Sequence, residues 1–436
     1  MKTHFTRLVF LLLGANIANL TAISTASAQL KQVIPESQDM SSSRLSNIDS
    51  LFRHFTGNDH AIAGVSAIVL RHGQIVYYQA AGYRDIAANK PLKKDDLFRI
   101  ASQTKVITIT AIMMLYEEGK LLLDDPISRY IPEFSHPVVL KSFNEKDSSY
   151  ETVPAESEIT VRQLLNHTSG ISYREIGTKE GKAIYAKADV PIGFEHRHIL
   201  LGDKMKILAK LPLMHQPGTK FTYGLNTDVL GYLVEIVSGK SLKDFFQQRI
   251  FDPLGMKDTY FYVPVEKQGR MSKAYITDGK GHTVENDAMD TTGGVNTIYP
   301  FTKNGSYYSG GAGLSSTSYD YVLFLQMLAN GGELNGHRLL SPSSIRLMTT
   351  NQIGDLVFPW SAVNREGFVF QVVTEKGSAL SGWNTGTYIG GGYWASQYWV
   401  DPMAGIVAQI WTQHSSPYGG ELFDKFKAIV YGAITK

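Results

Sequence analysis

The sequence predicts an α+β fold of two lobes. An antiparallel sheet built from the N- and C-terminal parts is flanked by helices, and a mainly helical lobe is inserted between them. Two observations predict it. Strand patterns crowd the ends, over residues 65–70 and 75–79 early on and over 368–373, 388–400 and 405–412 near the finish. Between them, from 135 to about 217, Pro, Gly and charged residues mix with short helical pieces. The αβ lobe is expected over about 46–134 and 305–436, the inserted lobe over about 135–304.

In chain order, Ile48, Leu51, Phe52 and Phe55 recur at helical spacing over 46–55. Residues 65–79 read as a hairpin closing through Gly73. A helix opens near Ser102 and ends near Gly119, with Asp125-Pro126 as a stop. In the insertion, 160–166 and 204–211 read as helical pieces. Residues 227–237 and 242–251 are stronger helices, the second led by Ser241 and Asp244 in a variant of the capping box. The Gly, Thr, Asn and Ser of 278–313 read as a surface loop. Helices follow over 319–329 and 341–349, and a closing helix over 423–434.

The N-terminus has its own pattern: Lys2 and Arg7, an apolar run over 8–13, and Ala26-Ser27-Ala28. That is the layout of a signal peptide, residues 1–28, cleaved after Ala28, and it implies a periplasmic or secreted protein. The run is too short to span a bilayer. Residues 29–45 read as a loose polar segment. Of 436 residues, 42 are Lys or Arg and 40 Asp or Glu; losing Lys2 and Arg7 leaves a neutral mature chain. Such a chain offers no electrostatic footprint for nucleic acid or an anionic membrane. With no cysteine there is no disulfide, thiolate metal site or thiol nucleophile.

Ser102 is the only serine with a lysine three residues later. The offset puts Ser102 and Lys105 on one face of a helix that Val106, Ile107, Ile109, Ile112, Met113 and Leu115 make apolar almost all round. A serine in a first turn sits in the field that stabilises an oxyanion. It becomes a nucleophile only when something takes its proton, and burial favours the free amine that lets a lysine do so. A serine N-cap with a snorkelling lysine fits the same residues. Tyr223 follows Pro217-Gly218 and closely precedes a helix; a phenol near the pair can relay the proton, and it can equally be a packing residue. Glu195-His196-Arg197-His198 does not match a zinc helix and reads as a solvated loop. No Gly-x-Ser-x-Gly occurs.

Four segments carry a resemblance: "LFRIASQTKVIT" with "LLLDDPISRYIPEF", "LLNHTSGISY", "GGAGLSSTSYDYVLFLQMLANGGELNGHRLLSP" and "QYWVDPMAGI". The chain resembles the serine β-lactamase and penicillin-binding-protein superfamily, and within it the class C β-lactamase-like carboxylesterases, the family VIII esterases. The resemblance spans about residues 51–434. It implies a β-lactamase/transpeptidase-like fold with the cleft between the lobes, Ser102 as the acylated nucleophile, Lys105 as its partner and Tyr223 assisting proton transfer. No cofactor or metal is implied. His167, inside "NHTSG", takes a structural role.

Two departures bear on the substrate. β-Lactamases and peptidases of this kind carry Tyr-x-Asn or Ser-x-Asn at the second motif; here Leu225 holds the asparagine's place and Asn226 comes one position late. Their third motif is Lys-Thr-Gly or Lys-Ser-Gly. The matching residues here are Gly390-Gly391-Gly392, either a close approach for an acyl group or a bulge without a ligand. The resemblance places the oxyanion between the Ser102 and Tyr393 N–H groups. Leu225, Asn226, Gly391, Gly392 and Tyr393 are therefore the expected substrate contacts. A small ester or amide is the expected partner, with ester hydrolysis favoured over β-lactam or D-Ala-D-Ala cleavage because the carboxylate anchor is missing. Lys303 is the cation that could replace it, and 135–217 with 278–313 are expected to shape the cleft. A binding protein that does not turn over remains a third reading.

Overall fold

A computed structural model describes residues 30–57, 61–286, 298–303 and 305–436. The chain has the α+β architecture that the sequence predicts. Its main sheet has eight antiparallel strands, in the order Arg365–Glu366, Gln371–Val372, Tyr388–Gly392, Ser396–Asp401, Ile406–Thr412, Gly64–Arg71, Gln74–Asp85, Lys90–Pro91. The two ends of the chain meet at its centre, where Val65 lies opposite Thr412 and Arg71 opposite Ile406. Both strands are buried at every position, because helices cover both faces of the sheet. On one face, helices Asn47–Phe55 and Gly419–Gly432 bring Phe52, Phe426 and Val430 onto Val69, Trp399 and Ala408. On the other, helix Ser318–Ala329 and the helix after Ser102 pack Phe324 and Ile107 into one core with Leu70, Val407 and Trp411.

The first hairpin turns at His72 and Gly73 with φ of 48° and 74°, the left-handed pair that a two-residue hairpin requires. Helix Thr104–Glu117 is buried from Thr104 through Leu115, as a helix apolar all round must be. Helix Asn226–Ser238 belongs to the same core and is closed by Gly239 at φ 68°.

Several expectations need correction. Residues 30–45 are docked rather than loose: Val33 N–H donates to the Ile75 carbonyl at 3.0 Å, and Met40 and Leu45 are buried. The single strand expected over 388–400 is a hairpin, because residues 393–395 form its turn and Trp394 there is buried, so no polar turn signal marks it. In place of a strand over 368–373 only Gln371–Val372 pairs. The inserted region also holds a hairpin, Val138–Phe143 with Tyr150–Pro154. Of the loop over 278–313, Thr283–Glu285 pairs as a strand and residues 309–313 are buried. The signal-peptide segment lies outside the described residues, as do 287–297 of that loop.

Candidate active site

Ser102 sits in the short 3₁₀ turn Ala101–Gln103 that leads into helix Thr104–Glu117. Ala101 before it has φ 47°, a left-handed conformation that a residue with a Cβ enters only at a cost of about 1–3 kcal/mol. The turn projects Ser102 toward Tyr223, whose hydroxyl donates to Ser102 Oγ at 2.7 Å. Lys105 Nζ reaches the same oxygen at 3.2 Å and donates to the Gly311 carbonyl at 2.6 Å. The structure thus brings Ser102, Lys105 and Tyr223 together from positions up to 121 residues apart. Lys105 is 0% exposed, and its Nζ lies 4.8 Å above the Tyr223 ring.

Each side chain is held by its surroundings. The Tyr223 ring rests against His167, centroids 4.8 Å apart, and T-shaped against Trp360 at 5.0 Å. His167 is structural: burial pushes its pKa well below the usual range, so the ring is neutral. Its Nδ1 accepts from the Asn226 amide at 2.7 Å, and Asn226 also bonds Ser169. Gly311 is fixed by Ser309, whose hydroxyl donates to buried Asp228 at 2.6 Å and accepts from the Gly311 N–H at 3.3 Å. Burial pushes the Asp228 carboxyl up; the Ser309 bond and Lys105 pull it back.

Gly224 has a plain reason. A Cβ there would overlap the Ile171 carbonyl oxygen, so the turn that aims Tyr223 cannot carry a larger residue. Gly224→Ala is expected to cost about 1–3 kcal/mol in unfolding free energy, as overpacking does, and to lower the rate by displacing Tyr223. Urea unfolding with a rate assay checks this, and a variant matching wild type in both would refute the account.

A cavity of about 330 Å³ opens beside Ser102 and Tyr223. Its far wall is the edge of strand Tyr388–Gly392. A Cβ on Gly392 would lie 2.6 Å from the Ile100 carbonyl, and one on Gly390 would overlap the Tyr398 phenol. The strand reaches the serine turn only because Gly392 is bare, and Gly390 leaves room for the Tyr398 ring. Tyr393 starts the turn after Gly392 and is 46% exposed. Gly391 and Gly392 therefore line the cavity, but Leu225 and Asn226 do not: both are fully buried, and the Asn226 amide is used on His167 and Ser169. The one-residue delay of the asparagine turns it inward. Lys303 lines a separate cavity with Lys243 and Tyr262. Among the described residues, none of 135–217 or 278–313 lines the cavity beside Ser102; instead Trp360, Glu366, Val369 and Gln371 come from 360–371. Sequence reasoning missed these four, together with Gly311 and Asp228. No group of side chains suited to a metal occurs among the described residues.

A serine between a buried lysine and a tyrosine, on this α+β frame, defines a serine hydrolase. The chain belongs to the β-lactamase family: the family model described as Beta-lactamase matches residues 48–430. Among its relatives is an uncharacterized protein of Mycobacterium tuberculosis, 34% identical over 81% of this chain and 86% of that one. Esterase EstB of Burkholderia gladioli is 33% identical over 63% of this chain and 68% of its own. A solved structure, EstCE1, described as a hydrolase with promiscuous acyltransferase activity, superposes with a TM-score of 0.76 at 25% identity, covering 90% of this chain and 99% of that one.

Proposed function

We propose that the protein is an exported carboxylesterase working through an acyl-enzyme on Ser102. Ser102 Oγ attacks the ester carbonyl while its proton passes to the Lys105–Tyr223 pair. The carbonyl oxygen, now anionic, is held by the Ser102 and Tyr393 N–H groups. The C–O bond breaks, and the alcohol leaves with the proton from the pair. Water, deprotonated by the same pair, then releases the acid and restores Ser102.

One observation supports an ester over a β-lactam or a peptide terminus. Among the described residues no lysine or arginine lines the cavity, where the Tyr398 phenol fills the space above Gly390 and Glu366 brings an acid. A carboxylate-bearing substrate finds no counter-charge there. Export rests on the N-terminal pattern, Lys2 and Arg7 before an apolar run and Ala26-Ser27-Ala28.

The test is a fluorophosphonate adduct located by mass spectrometry, with kcat/KM for p-nitrophenyl butyrate beside nitrocefin. The adduct is expected on Ser102. The ester is expected to lead by at least ~10-fold, the ratio for about 1.4 kcal/mol, since an anchored carboxylate is worth about 1.5–3 kcal/mol. An adduct on another serine, or nitrocefin as the better substrate, would overturn the reading.

A further inference from the structure

Glu366 lies at the sheet edge, in the two-residue strand Arg365–Glu366. That strand pairs with Gln371–Val372, which in turn pairs with the strand carrying Gly390–Gly392. The residue is 2% exposed and lines the same cavity as Ser102. Its charge bears on Tyr398, whose phenol occupies the space above Gly390.

What distinguishes it is the lack of a partner. Every other buried acid among the described residues is bonded. Asp96 takes Arg84 at 2.8 Å and Glu195 takes Arg197 at 2.6 Å. Asp228 is bonded to Ser309, Asp320 to Thr259, Asp401 to Asn384, and Asp125 to Arg129. The Glu366 carboxyl makes neither a hydrogen bond nor an ion pair with any described residue, and burial alone pushes its pKa up to about 8. A buried carboxyl kept for stability acquires a donor or a cation, because leaving it bare is costly. A bare one facing a substrate cavity leaves its partner to be supplied by what enters.

The other polar side chains of the wall are serines, glutamines, tyrosines and Trp360, all neutral, so among the described lining residues the one uncompensated charge is negative when Glu366 ionises. A neutral hydroxyl would return a single ordinary hydrogen bond. A primary ammonium offers three donors and the opposite charge, and so is the fuller complement to a carboxylate in a poorly hydrated site. Apolar Val369 and Ile389 line the cavity as well and suit a short methylene chain.

We propose that Glu366 is a specificity residue that receives a cationic amino group, so that the preferred substrates are esters carrying a primary ammonium on the part that fills the cavity. This rests on the ester-hydrolase reading above.

The experiment compares p-nitrophenyl hexanoate, 6-hydroxyhexanoate and 6-aminohexanoate in wild type and Glu366→Gln at pH 7. Wild type is expected to favour the ammonium ester over hexanoate by roughly 10- to 100-fold in kcat/KM, the span of a hydrogen bond to a charged group. In Glu366→Gln the ratio is expected to collapse to about one or below. Circular dichroism reports whether the variant is folded, and the wild-type comparison stands even if it is not. Equal rates in wild type, a preference for the hydroxyl ester, or an ammonium preference that survives Glu366→Gln would overturn the proposal. Turnover without ammonium preference defeats this inference alone, whereas no turnover and no Ser102 adduct defeat the ester reading. In that second case calorimetry with Ser102→Ala decides the inference. Hexylammonium is expected to bind at least ~10-fold tighter than 1-hexanol, and equal affinities would overturn it.

Discussion

Ser102→Ala, Lys105→Met and the double variant are expected to show the same residual kcat on p-nitrophenyl butyrate, at least ~10³-fold below wild type. Positioned proton transfer contributes about 10²–10⁴-fold, and groups acting as one unit lose their effect together. Lys105 Nζ is 3.2 Å from Ser102 Oγ, and its remaining bond goes to the Gly311 carbonyl. Without the serine it has no proton to accept; without the lysine the serine keeps its own. Methionine is chosen because Lys105 is fully buried and a shorter residue would leave a cavity. The Gly311 carbonyl loses its donor, an expected cost of about 1–3 kcal/mol that circular dichroism and thermal melting separate from the chemical effect. Tyr223→Phe removes the 2.7 Å hydroxyl contact but keeps the ring against His167 and Trp360. It is expected to lower kcat by at least ~10² while leaving the melt unchanged. A Lys105→Met enzyme within 10-fold of wild type, or a double variant far below both singles, would contradict the shared role.

Glu366→Gln is expected to gain stability relative to wild type as pH rises. The folded chain holds the Glu366 proton up to about pH 8, because burial disfavours the carboxylate. The unfolded chain releases it near the ordinary glutamate value. Between about pH 4.5 and about pH 8 the unfolded state therefore binds fewer protons, and raising the pH favours unfolding. The stabilising contribution is complete below that window and gone above it. Glutamine does not titrate. The variant-minus-wild-type difference should shift toward the variant by on the order of 3–5 kcal/mol between pH 5 and pH 9. Taking the difference cancels other acids with raised values, such as Asp320, raised to about 6 by burial, and Glu175, raised to about 7. Urea unfolding followed by tryptophan fluorescence reads it. A difference that stays flat with pH would mean that Glu366 has a partner or is already ionised.

By itself the sequence determined the elements whose signals are local. The apolar helix behind Ser102, the hairpin through Gly73 and the helix stopped at Gly239 each announce themselves within one element's length, through periodicity and turn residues. The spacing of Ser102 and Lys105 is likewise local, since one helical turn sets it. The hairpin at 393–395 was hidden because its turn residues are aromatic and Trp394 is core. Residues 309–313 were hidden because glycine and serine read as loop even where they pack against Asp228.

Only the tertiary structure decided which distant residues meet. Tyr223 reaches Ser102 from 121 residues along the chain, and Asn226 turns away from the cavity because its amide is spent on His167 and Ser169. Glu366 becomes a cavity acid only because strand pairing sets its short strand beside Gln371 and next to the edge carrying Gly390–Gly392. Periodicity reports which side of an element is apolar. The neighbours of a polar residue, and hence its charge and its use, depend on contacts between elements far apart in the chain.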